Sequence, residues 1–121
     1  MLERRERGYL IKIDDFFYLL SDETRLRCLL LLVAKGELCV CDLTTILKII
    51  QPKISRHLAI LKKFKVVSDR RSGVWIYYRV HPNLPQWIQK ILATTLKQLS
   101  GTNPYSLDLA MLNSAKNCST C

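Results

Sequence analysis

Two pairs of cysteines stand close enough for their sulphurs to act together. Cys39 and Cys41 are one residue apart in "ELCVCDL", and Cys118 and Cys121 are two apart in "NCSTC". Thiolates are soft donors that favour soft, thiophilic ions, and paired thiols also oxidise to disulfides. Sulphurs that share one ion lie within about 4 Å of each other, because metal–thiolate bonds are near 2.3 Å. The Cys118/Cys121 spacing is ligand-like, whereas the Cys39/Cys41 spacing is shorter than a zinc knuckle uses. On a regular helix, side chains two residues apart diverge by about 200°. Chelation by Cys39 and Cys41 from within a helix therefore demands that its first turn unwind or distort. A ligand that fits only the distorted form draws the population toward it. A helix N-terminus would also favour the thiolate. Cys28, within "RLRCLLLL", reads as a small core residue.

The rest of the composition narrows the setting. A chain of 121 residues, 49% of them hydrophobic, has room for one domain with one modest core. Lys and Arg outnumber Asp and Glu by 19 to 10, a net charge of +9. That excess points to a polyanionic partner, nucleic acid before membrane. The longest apolar run, 29–34, is six residues, against the roughly 20 of a membrane span. The start has no h-region or cleavage site of a signal peptide. A soluble, cytoplasmic protein with no membrane partner is expected. Five cysteines, odd in number and clustered, are expected as thiols in a reducing compartment.

The elements that must position these groups follow from periodicity. Tyr9, Leu10, Ile13, Phe16, Phe17 and Leu20 recur at helical spacing. "SDET" breaks that helix and starts a second, capped by Ser21 or Asp22, with Leu26, Leu29, Leu30 and Val33 on one face and Gly36 as its stop. A short third helix is expected over about 39–48, with Leu43, Ile46 and Leu47 inward. Pro52 opens a fourth, over 52–64. The period then shortens, and "VVSDRRSGVWIYYRV" reads as a hairpin of 66–70 against 74–80 turning at Ser72-Gly73. Helical spacing returns over 84–99. Residues 102–121 follow as a cysteine-containing tail, a short helix or disordered, behind a domain spanning 1–101.

Two consecutive helices followed by a basic hairpin is the layout of a winged helix-turn-helix, a mainly α fold with a β-hairpin wing. On the fourth helix Ile54, Leu58 and Leu61 share a core-facing arc. The opposite arc of Pro52, Arg56, Ala59 and Lys63 is small, polar and basic, suited to base edges and phosphates in a major groove. Gln51, Lys53, Ser55, Arg56 and Lys63 are the candidate DNA contacts there. His57, beside the core arc, either reaches a phosphate or caps a packing contact. Arg70 and Arg71 place two cations at the wing turn, for phosphate or minor groove.

These stretches, "LLSDETRLRCLLLLVAKGELCVCDLTTIL" and "QPKISRHLAILKKFKVVSDRRSGVWIYYRV", resemble the ArsR family of metal- and metalloid-responsive repressors over about 16–99. "ELCVCDL" resembles the thiol site of the arsenite-responsive branch. The resemblance implies a homodimer, with its first and last long helices as the interface, that represses its operon until As(III) or Sb(III) binds Cys39 and Cys41. That branch usually offers a third cysteine three residues after Cys41, where this chain has Thr44. Cys118 and Cys121 are candidates to complete the site, since an extended tail spans several tens of Å. The family's other metal site needs carboxylate and His ligands on the last long helix, and 84–99 contains no His, Asp, Glu or Cys. Two other readings stay open. One is a repressor switched by thiol oxidation, and the other a small thiol oxidoreductase using Cys118 and Cys121.

Overall fold

The computed structural model describes residues 11–114. Tyr9 and Leu10 of the first expected helix lie outside the described residues, as do Cys118 and Cys121. Among the described residues six helices surround a small antiparallel sheet, in the order α1 (Ile13–Leu20), α2 (Glu23–Lys35), β1 (Glu37–Cys39), α3 (Val40–Leu47), α4 (Gln51–Lys63), β2 (Val67–Ser72), β3 (Trp75–Val80), α5 (Gln86–Leu99) and α6 (Tyr105–Ser114). Helices α3 and α4 are the helix-turn-helix pair and β2–β3 is the wing, as the sequence pattern leads one to expect.

Helix α2 is the hub. It packs against α1, α4, α5, α6 and the sheet, so it buries Cys28, Leu29, Leu30, Leu31 and Leu32 around most of its circumference. A single apolar face was expected, and Leu26 and Val33 prove only half-buried. Glu23, Ala34 and Lys35 stay exposed, so α2 keeps a solvent side despite its many partners. Asp22 caps α2 by accepting the Arg25 N–H at 3.0 Å, and Gly36 closes it at φ 98, a backbone geometry that Cβ-bearing residues resist. Ile54, Leu58 and Leu61 of α4 are fully buried, as are Leu43 of α3 and Ile88 of α5.

The sheet differs from a plain hairpin. Its strand order is β1-β3-β2, and β1 is a three-residue strand that periodicity cannot reveal at that length. Glu37 pairs with Arg79, Leu38 with Tyr78 and Cys39 with Tyr77. The wing closes at Ser72 opposite Trp75. This leaves Gly73-Val74 as a two-residue loop, one residue later than expected, with Gly73 at φ 64 as a type II′ turn requires at its first position. Helix α6 rejoins the body beyond residue 101. It packs on α2 and α3, and the Asp108 carboxylate accepts both Arg27 Nε and Nη2 at 2.8 Å.

Candidate functional site

The reading helix begins after a tight turn. Lys48 ends α3 in the left-handed conformation, φ 58 and ψ 42, and donates its N–H to the Thr44 carbonyl. A lysine at such a position gives no sequence signal, unlike glycine. Helix α4 starts at Gln51, and Ile50 supplies the first backbone acceptor. Gln51, Lys53, Arg56 and Lys63 are exposed on one side of α4, along with Pro52 and Ala59, and Ser55 is half-buried. Gln51 Nε2 donates to Ser55 Oγ at 2.9 Å. The side chains of Arg56 and Arg71 make no hydrogen bond or ion pair among the described residues, and both residues are exposed.

His57 belongs to the packing contact rather than to that exposed arc. It is buried, with Nδ1 3.4 Å from Arg25 Nη1 and Nε2 3.9 Å from Asp22 Oδ1. Arg25, itself buried, donates Nε to the Leu19 carbonyl at 3.0 Å and lies over the Tyr18 ring. This cluster ties the end of α1, the start of α2 and the middle of α4 into one joint, none of which periodicity foretold. Burial pushes the His57 pKa down, and Arg25, Lys53 and Arg56 push it the same way against the pull of Asp22. The folded chain therefore holds a neutral imidazole that the unfolded chain protonates near its ordinary value of about 6.5. Below that pH the unfolded state binds more protons, so stability falls as pH is lowered. His81, also shifted down by burial and by Lys65 and Arg79, contributes with the same sign. Urea midpoints should fall from pH 7 toward pH 5, with a shallower slope in His57→Gln; an identical slope would remove His57 from the titration.

In the wing, Arg70 is already engaged. Its Nε and Nη2 donate to the two Glu37 carboxylate oxygens at 2.8 Å each, and its guanidinium lies 4.5 Å from the centroid of the Tyr77 ring. Lys62 Nζ donates to Asp69 Oδ2 at 3.1 Å, joining α4 to the wing. Of the two wing arginines, Arg70 is paired with Glu37, while Arg71 has no such side-chain partner among the described residues.

The cysteines sit where β1 becomes α3. Cys39 was expected in the first turn of the helix. It is instead the last residue of β1 and the N-cap of α3, in extended geometry, fully buried, with Sγ accepting the Asp42 N–H at 3.4 Å. Asp42 stands three residues on, the spacing of a capping box, with sulphur in place of the N-cap hydroxyl. Burial pushes the Asp42 pKa up, and the Cys39 N–H offsets part of that. Cys41 is half-buried in the first turn, and its carbonyl accepts Thr44 Oγ1 at 2.8 Å. Thr44 thus spends its hydroxyl on the backbone. Both Cys39 and Cys41 are disulfide-bonded in the structure. Cys28 is a free, buried thiol, pushed up to about 12 chiefly by burial, so it is a packing residue. Among the described residues no three His, Cys, Asp or Glu side chains converge as a metal site, and no helix is long and apolar enough to cross a membrane.

Helix, turn, helix and wing, with a basic exposed arc on the second helix, define a winged helix-turn-helix transcriptional regulator. Residues 22–69 match the family described as bacterial regulatory protein, arsR family. Over 85 residues the chain is 54% identical to the arsenical resistance operon repressor of Escherichia coli, covering 70% of this chain and 72% of that one. Over 76 residues it is 54% identical to the arsenic resistance transcriptional regulator ArsR1 of Pseudomonas putida, covering 63% of this chain and 59% of that protein's length. In three dimensions it is similar to the AntR antimony-specific transcriptional repressor, with a TM-score of 0.61 at 26% identity over 83% of this chain and 90% of that one. The chain belongs to the arsR family of bacterial regulatory proteins, a class of transcriptional regulators rather than enzymes.

Proposed function

We propose that this chain is a cytoplasmic repressor that binds operator DNA as a homodimer and is released when As(III) or Sb(III) binds the thiolates of Cys39 and Cys41. The observation that carries this is the double duty of Cys39, whose sulphur is both the N-cap acceptor of α3 and one half of the Cys-x-Cys pair. A sulphur drawn into coordination leaves the Asp42 N–H and uncaps α3. Oxygen caps stabilise a helix start by about 0.5–2 kcal/mol; a sulphur cap, a weaker acceptor, contributes less. The conflict between ligand and helix thus lies at the strand-to-helix junction rather than within the first turn of a helix. Because α3 packs on α4, a disturbed α3 start reaches the reading helix. Relatives named for arsenical resistance and a structural neighbour named for antimony support a thiophilic metalloid as inducer. Cys118 and Cys121 are the candidates for a third thiolate. Ile13, Phe17 and Tyr18 of α1 and Trp87 of α5 are exposed apolar side chains. They support a two-fold interface built from those helices.

Mass spectrometry of the fully reduced chain with arsenite tests the ligand set. An adduct with loss of two or three thiols per protomer is expected, and no adduct would refute it. That Cys39 and Cys41 each take part in a disulfide favours one second reading, a repressor switched by thiol oxidation. A reduced chain that takes up no arsenite but loses operator affinity in peroxide would establish that reading instead.

For DNA, Gln51, Lys53, Ser55, Arg56, Lys63 and Arg71 form the contact surface, with Arg56 at its centre. Arg56→Ala should lower operator affinity about tenfold or more while leaving random-duplex affinity nearly unchanged, because a base contact contributes about 1–3 kcal/mol of discrimination. Arg71→Ala should mainly reduce the salt slope. An unchanged ratio of operator to random-duplex affinity in Arg56→Ala would contradict the assignment.

A further inference from the structure

We infer that Glu37 and Arg70 form a clamp through which the thiol site acts on the wing, with Arg70 a positioning residue rather than a DNA contact. The inference rests on the metalloid reading above and adds the route by which the two sites are joined.

The strand order places β3 between β1 and β2, so a side chain of β2 must cross β3 to touch β1. Arg70 does so. Its register partner in β3 is Tyr77, and Tyr77 is in turn the partner of Cys39 in β1. The three residues stand in one row across the sheet, on one face by strand alternation. Glu37 shares that face two residues before Cys39. The Arg70 guanidinium lies over the Tyr77 ring and ends in two parallel hydrogen bonds to the Glu37 carboxylate. Such a fork fixes orientation as well as distance. The Arg70 guanidinium also holds the Glu37 carboxyl below the usual carboxylate range.

Three-residue β1 is thus gripped at both ends. Cys39 caps α3 at one, and Glu37 is forked to the wing at the other. A movement of Cys39 toward a bound ion displaces β1, and Arg70 carries that displacement across the sheet. Lys62 and Asp69 then join the wing to α4, so a shifted wing and the reading helix move relative to the same DNA. Two sites that bias one two-arrangement element are thermodynamically coupled.

The quantity to measure is the ratio of operator Kd with and without arsenite, on the reduced full chain. Glu37→Gln keeps size and removes the charge that holds the fork. Arg70→Lys keeps the wing's charge and loses the fork. Each should retain arsenite uptake and operator affinity close to wild type without arsenite, while the ratio falls about threefold to fivefold, as suits an exposed ion pair. The double variant should lower the ratio no further than either single change. Hydrogen exchange gives a readout without DNA. Arsenite should speed exchange in both 37–39 and 67–80 of wild type, and only in 37–39 of Glu37→Gln.

A wild-type ratio in Glu37→Gln would overturn the clamp. So would a rise in basal operator affinity at constant ratio, which would make Glu37 only an electrostatic mask on a DNA-binding arginine. If wild type itself shows no release by arsenite, the metalloid reading fails, and the clamp as a transmitter with it.

Discussion

Serine at position 39 or 41 should leave operator binding within about threefold of wild type and abolish release by As(III), beyond a hundredfold rise in the concentration needed. The asymmetry comes from what serine can and cannot replace. At position 39 it supplies a hydroxyl acceptor to the Asp42 N–H, and serine is among the preferred N-cap residues. The DNA-binding form is therefore kept, and α3 should melt no more readily. At half-buried position 41 serine preserves size. Neither serine provides a soft thiolate. Without it the inducer has no differential affinity for the two forms, and no population shift follows however much is added. Replacing Cys118 and Cys121 together should raise the half-release concentration more than tenfold, about 1.4 kcal/mol, if the tail completes the site. An unchanged value would leave Cys39 and Cys41 as the whole thiol site. Operator-release curves for the three variants, on reduced protein, decide this.

Asp108→Ala should lower the free energy of unfolding by about 3 kcal/mol, a large part of the 5–15 kcal/mol that domains of this class have. Arg27 and Asp108 side chains are 16% and 5% exposed and joined at 2.8 Å. Removing the carboxylate leaves a largely buried guanidinium with no acceptor. The small exposure of Arg27 lets it reach some water, which places the expected loss at the lower end of the range for broken buried pairs. The double change Arg27→Met with Asp108→Leu should recover most of it, because an apolar pair of similar volume has no charge to desolvate. Urea unfolding measures both. A loss under about 1 kcal/mol in Asp108→Ala would mean that α6 is held by Leu109, Met111 and Leu112 alone.

The first five helices are legible because their apolar residues recur at 3.6 spacing, and the reading helix because its two arcs differ in chemistry as well as in hydropathy, whereas the weak periodicity of 105–114 leaves α6 open. Ile54, Leu58 and Leu61 are buried while Pro52, Arg56, Ala59 and Lys63 are exposed, as one pass along the sequence suggests. What stayed hidden was mostly non-local. Strand β1 is too short for alternation to show, and it exists because β3 offers it a free edge. The Cys39–Asp42 box has the S-x-x-E spacing of a capping box, but with cysteine and aspartate the pattern passes unnoticed. From the sequence His57 either reaches a phosphate or caps a packing contact, and Arg25 and Asp22, more than 30 positions earlier, close around it. Asp108, one acid in an apolar stretch, carried a weak signal, since a lone charge on such a face needs a partner.

The most direct measurement is an anisotropy titration of the reduced full chain bound to an operator duplex selected from a random pool. As(III), Sb(III) and Zn(II) would be added in separate arms, to wild type and to Cys39→Ser. Release of wild type by As(III) and Sb(III) but not by Zn(II), and of Cys39→Ser by none of the three, is the predicted result. Release of Cys39→Ser by As(III) at the wild-type concentration, or retention of DNA by wild type at saturating As(III) and Sb(III), would contradict it.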